Sequence, residues 1–159
     1  MKTVTVGIGE WSVSRNPEET LKTFALGSCV AVLIYDTKLR VAGMIHVALP
    51  ESSINPDLAR QSPGRFADSG LPLMIEGMKA MGASRAHVWV KLVGGSSIMD
   101  PVGHFDIGRR NVLAVKRHLW KSSLGPVAED VGGDISRTVS LSVADGSVAV
   151  TSGARAWTI

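Results

Sequence analysis

Two apolar runs, Val30–Tyr35 and Val41–Leu49, stand either side of Asp36-Thr37-Lys38-Leu39, and they limit the fold more than any other feature of the chain. Both are rich in β-branched residues, and the break between them is short, which predicts a buried β-hairpin. The hairpin also places chemistry. Cys29, the single cysteine, follows a Gly27-Ser28 turn at the start of the first run, and His46 lies near the end of the second. If the turn is centred between Thr37 and Lys38, Tyr35 faces Arg40, Ala31 faces Met44 and Cys29 faces His46. Directly opposed residues share a face with Cβ atoms about 4.5–5.5 Å apart. A register slip of one residue would separate them to opposite faces.

A thiol beside an imidazole suits acyl transfer. The thiolate is the attacking species, and a neighbouring imidazolium lowers the thiol pKa. The turn before the strand also exposes backbone N–H groups that could hold an oxyanion. The competing reading is a small buried hydrophobe, the commoner fate of a free cysteine beside a Val-rich strand.

The rest of the chain predicts layered α and β structure. Thr3–Val6 and Ala86–Val93 read as strands, and Thr138–Val143 and Ser147–Thr151 as a hairpin turning through Asp145-Gly146 in the type I′ form. Apolar residues at Leu71, Met74, Ile75 and Met78 predict a helix over Ser69–Met81. A second helix is expected from about Ile107 to Lys121, capped by Asp106. Pro50–Gly64, with its prolines and serines, reads as a mobile loop. The total is six or seven strands and two main helices in one domain spanning 1–159.

Composition closes off several classes of function. A formal charge of +3 with scattered Lys and Arg makes no nucleic-acid-binding stripe. One cysteine excludes an internal disulfide and favours a reducing compartment. No apolar run is long enough to span a bilayer, and Met1–Glu10 lacks the apolar stretch of a signal peptide, so a cytoplasmic protein is expected. His87, His104 and His118 have no partner at metal-ligand spacing, so neither metal nor cofactor is expected, and His118 reads as solvated. Gly94-Gly95-Ser96-Ser97 reads as a plain turn, because no lysine follows where a phosphate loop needs one. Trp89, Trp120 and the Met74, Met78, Met81 stripe are expected in the core. Phe66 suits either a substrate cleft or turn packing.

These residues resemble a known family, the chemoreceptor glutamine deamidases of bacterial chemotaxis (CheD). The resemblance is carried by Leu26-Gly27-Ser28-Cys29-Val30 and by Gly43 through Pro50. Further blocks are Gly64-Arg65-Phe66-Ala67-Asp68, Gly94-Gly95-Ser96, Ile107 through Asn111, and Ala128 through Gly133 with Arg137. The resemblance implies a Cys29–His46–Thr23 site, with Thr23 orienting the imidazole, and a thioester route from receptor glutamine to glutamate. It also implies a layered α/β sandwich similar to the catalytic domain of deamidating toxins. Similar proteins also hydrolyse receptor glutamyl methyl esters. The implied partners are chemoreceptor cytoplasmic helices and, in some bacteria, a CheC-type phosphatase. A monomer is expected, because no exposed heptad or large apolar stripe is evident. A non-catalytic docking module and a different Cys–His hydrolase are the alternatives. Ala25 stands where many relatives have glycine, and Ser96-Ser97 replaces a more usual Ala-containing step; neither is part of the implied triad.

Overall fold

The computed structural model describes residues 1–98, 100 and 105–159. Among these, ten strands form two sheets of five. The strands are β1 (Lys2–Thr5), β2 (Trp11–Ser14), β3 (Glu19–Leu26), β4 (Val30–Asp36), β5 (Val41–Val47), β6 (Val88–Gly94), β7 (Pro126–Val131), β8 (Arg137–Ser142), β9 (Val148–Ser152) and β10 (Arg155–Thr158). The helices are α1 (Pro56–Gln61), α2 (Ala67–Ala80) and α3 (Ile107–Lys121). One sheet has the order β1-β3-β8-β9-β10 and the other β2-β5-β4-β6-β7. Each is mixed, with one parallel pair: β1 beside β3, and β6 beside β7.

The central hairpin explains the layering. Every residue of β4 and β5 is buried, so both faces of this sheet are covered. Val30, Val32, Ile34, Val41, Ile45 and Val47 pack on one face against Leu71, Met74 and Met78 of α2 and Val115 and Leu119 of α3. Ala31, Leu33, Tyr35, Ala42 and Met44 point the other way, into a second core with Leu21, Leu26, Val139, Leu141 and Val150 of the facing sheet. The result is a helix–sheet–sheet sandwich, the layered α/β class expected. Each fully buried Leu or Met in these layers contributes roughly 1.5–3 kcal/mol.

Several expectations change. The hairpin turn is centred between Lys38 and Leu39, because Asp36 pairs with Val41 and Ala31 with His46. Asp36 still belongs to the strand, and its buried carboxylate accepts the N–H groups of Lys38, Leu39 and Ser84. Cys29 therefore does not directly face His46. Pro50–Gly64 is not a plain loop: it holds α1, capped by the Asn55 side chain, and two short 3-10 turns, Ser52–Ile54 and Pro63–Arg65. The β8–β9 connection is longer than a two-residue type I′ turn, with only Gly146 in the left-handed region. Asp106 precedes α3 but makes no side-chain cap. Trp120 is 79% exposed, since Leu119 takes the inward position, and Met81 ends the methionine stripe outside the core. Trp89 is half-buried against Tyr35. His118 is not solvated; its ring lies 3.2 Å from the Glu51 carboxylate. His104 lies outside the described residues.

Candidate active site

The corrected register preserves what the hairpin is expected to do. Moving the turn centre by one position slides the pairing by two residues, and two residues is the period of a strand. Cys29, which immediately precedes β4, continues the Ala31, Leu33, Tyr35 row, and His46 continues the Ala42, Met44 row. Both rows face the space between the sheets. Cys29 and His46 are thus diagonal neighbours on one face, a relation that sets Cα atoms roughly 7–8 Å apart.

Thr23 reaches this pair from the opposite sheet. Its Oγ1 lies 2.7 Å from His46 Nδ1 and 2.6 Å from the Val6 carbonyl oxygen. A threonine hydroxyl has one proton, and a carbonyl can only accept, so that proton goes to Val6. The hydroxyl oxygen must then accept from His46, which places the imidazole proton on Nδ1 and leaves Nε2 as the free base. Backbone bonds hold the same ring: the His46 carbonyl accepts from Gly9 (2.9 Å), and its N–H donates to the Glu10 carbonyl (3.1 Å).

The Cys29 loop is held from behind by the turn at 94–96. Gly95 N–H donates to the Cys29 carbonyl and Ser96 N–H to the Gly27 carbonyl, each at 2.8 Å. Asn111, fully buried on α3, donates both amide protons, one to the Ser28 carbonyl at 2.9 Å and one to Ala48 at 3.0 Å. It thereby ties the Cys29 loop to the end of the His46 strand. Arg137, from β8, donates to the carbonyls of Gly94 and Gly132 and pairs with Asp130, which fixes the gripping turn to the facing sheet. The carbonyls at 27, 28 and 29 are all engaged, while the Ser28 and Cys29 N–H groups donate to no other residue among those described. The 94–96 turn is therefore more than a plain turn, a role that no spacing in the sequence reveals.

Gly94 shows how tight this grip is. Its φ is +117°, and a Cβ there would lie 2.2 Å from the Cys29 carbonyl oxygen. Gly94→Ala is expected to cost about 2–3 kcal/mol or more through strain and clash, lowering the thermal midpoint by about 5–10 °C. An unchanged midpoint in a thermal melt would show that this contact does not fix the loop. Ala25, in the β3 bulge, sits at φ 53°, in the left-handed region that favours glycine.

Burial sets the electrostatics. It pushes the Cys29 thiol above its ordinary value, opposed first by the Arg65 guanidinium and then by the residue's own N–H. Burial also lowers His46 to about 4, and Thr23 brings no negative charge to offset that. The resting pair is neutral thiol and neutral imidazole, not the thiolate–imidazolium pair that adjacency alone suggests. Arg65 Nε is buried without a hydrogen-bond partner, a condition that costs about 1–3 kcal/mol. Phe66 is fully buried and bridges Leu49, so turn packing accounts for it. Among the described residues no cluster of His, Cys, Asp or Glu is arranged to hold a metal ion. No helix described is long and apolar enough to cross a membrane.

Comparison with known proteins adds independent findings. The family described as CheD chemotactic sensory transduction matches residues 48–152. A probable chemoreceptor glutamine deamidase CheD of Syntrophotalea carbinolica is 51% identical over 94% of this chain and 94% of its own length. The chemoreceptor glutamine deamidase CheD of Thermotoga maritima is 40% identical over 91% of this chain and 88% of its own. Among solved structures, a Neisseria meningitidis protein of the DUF152 family aligns with a TM-score of 0.48 at 13% identity, covering 84% of this chain and 63% of that one.

Proposed function

Because the chain belongs to the CheD family of chemotactic sensory transduction proteins, we propose that it is a protein-glutamine deamidase acting on chemoreceptor cytoplasmic helices. The observation that carries the chemistry is the Val6–Thr23–His46 relay, which leaves His46 Nε2 unprotonated on the face that also carries Cys29.

The mechanism follows from these positions. His46 Nε2 takes the Cys29 proton as Sγ attacks the glutamine carboxamide carbon. The S–C bond forms, and the carbonyl electrons move to oxygen, for which the Ser28 and Cys29 N–H groups, donating to no other described residue, are the available donors. The tetrahedral intermediate collapses, the C–N bond breaks, and the imidazolium gives its proton to the leaving nitrogen as ammonia. Water, deprotonated by His46, then cleaves the thioester. Glutamate remains on the receptor, and the thiol regains its proton. A glutamyl methyl ester would enter the same acyl-enzyme with methanol leaving, which is the basis for an additional methylesterase activity.

Thr23, Cys29 and His46 are the residues assigned to this chemistry, within a single catalytic domain acting as a monomer in the cytoplasm without metal or cofactor. Family membership alone supports a CheC-type phosphatase as regulatory partner. The test of reaction type is ammonia release from a receptor cytoplasmic fragment with its peptide backbone intact. New peptide termini in place of ammonia would make the chain a protease and overturn the reading.

A further inference from the structure

Arg65 stands at the site without a structural task for its charge. It ends the 3-10 turn Pro63–Arg65, and its carbonyl accepts the N–H groups of both Ala48 and Leu49 at 2.8 Å. Ala48 is the residue that faces Cys29 when the hairpin register is continued past Val30 and Val47. Its side-chain stem lies on Gly9, where a Cβ would be 2.5 Å from Arg65 Cγ, and Gly9 donates its N–H to the His46 carbonyl. The arginine is thus anchored on the two backbone segments that bracket the Cys–His pair. Its Nε is buried with no partner, and no carboxylate pairs with the guanidinium among the described residues. A cation held without a counter-ion is most useful where an anion forms transiently.

We propose that Arg65 is a positioning residue of the acyl-transfer site, holding a fixed positive charge that stabilises the Cys29 thiolate once its proton has moved to His46. This deepens the deamidase reading and rests on it. The Sγ–H bond breaks, the proton joins His46 Nε2, and the sulfur bears the negative charge until it bonds to the carboxamide carbon. Thr23 is neutral, so the imidazolium gains no counter-charge from its hydrogen-bond partner. Support for charge separation therefore has to come on the sulfur side. Among the described residues, the charged and titratable groups around Cys29 are His46 on β5, Arg65, Glu10 in the turn behind His46, Arg137 beyond the 94–96 turn and, lining the pocket that Ser28 also lines, Asp100, Asp106 and Arg109. Arg137 is committed to Asp130 and to backbone carbonyls, and Glu10 accepts the N–H of Gly7. Arg65 also leads the influences that lower the thiol pKa against burial.

The test uses the single cysteine as its own reporter. The pH dependence of alkylation by uncharged iodoacetamide is measured on the full chain carrying Arg65→Met, which keeps the apolar stem over Gly9, and Arg65→Lys, which keeps the charge. Arg65→Met is expected to raise the thiol midpoint by about one pH unit, slow alkylation at pH 8 about tenfold, and lower kcat about tenfold with KM little changed. Arg65→Lys should retain most of the wild-type midpoint. A folded Arg65→Met with an unchanged midpoint overturns the inference; if that variant fails to fold, Arg65→Gln is held to the same criterion. Wild-type protein that deamidates normally while its thiol ignores Arg65 refutes this inference alone. Wild type that releases no ammonia from a bound receptor fragment removes the deamidase reading on which it rests.

Discussion

Cys29→Ala is expected to lower the rate of ammonia release from a receptor fragment by at least about 10⁴-fold, because the acyl-enzyme route then has no nucleophile. Nothing in the sequence can substitute: Cys29 is the single thiol of the chain. The change should barely disturb the fold. Cys29 is half-buried at the edge of the intersheet core and carries no charge at rest, so losing one sulfur costs about 1 kcal/mol. Its loop is held through the carbonyls of residues 27 to 29, which alanine preserves. Binding of the receptor fragment should therefore survive while turnover does not. Initial rates and an equilibrium denaturation curve on the same preparation check both halves. Residual activity above about one-hundredth of wild type would place the nucleophile elsewhere.

His46→Asn separates the base from the hydrogen bond that holds it. An asparagine amide can donate to Thr23 as Nδ1 does, but it offers no basic nitrogen at the Nε2 position. The expected loss is about 10²–10⁴-fold, the usual worth of a positioned general base. The same substitution should alter acid stability. The folded-state pKa of His46 is lowered from its ordinary 6.5 to about 4, so between those values the unfolded chain binds the extra proton. Stability from this group is complete above pH 6.5 and is lost as the pH falls toward 4, a difference of about 3 kcal/mol. Urea midpoints at pH 7 and pH 4 should fall less steeply in His46→Asn than in wild type. Equal slopes would mean that His46 is protonated in the folded protein. For catalysis the same low pKa keeps the base competent well below neutrality, so the acid limb of kcat/KM is expected near 4.

The hairpin makes the centre of the fold legible from the amino-acid sequence, because apolar runs as long as those of β4 and β5 need cover on both faces. It also places Cys29 and His46 on a common face although the turn lies one position further on than its residues suggest, since that displacement equals one strand period. What shifts the turn is Asp36, a residue that reads as a loop former yet stays in the strand and caps the turn with its carboxylate. The first long helix is visible in its periodicity and the second in its flanking signals, but Trp120 shows that size alone does not choose the inward face. The strands that periodicity does not reveal are β2, β3, β7 and β10. β3 mixes Thr, Lys and Phe around inward Leu21 and Thr23, and its bulge breaks the alternation that marks a strand. Thr23 is accessible only through family resemblance, because its partner lies on the other sheet. Asn111 and Arg65 lie in blocks that carry the resemblance, but their work is done through contacts far apart in sequence, such as Asn111 with Ser28 and Ala48.

The most direct test of the account is a mass spectrum of a chemoreceptor cytoplasmic fragment incubated in ¹⁸O-water with wild-type protein and, in parallel, with Cys29→Ala. Hydrolysis of a glutamine thioester by labelled water predicts a gain of about 3 Da at particular glutamines with wild type, and none with the variant. Labelled glutamate produced equally by Cys29→Ala, or a bound fragment left at its original mass by wild type, would contradict it.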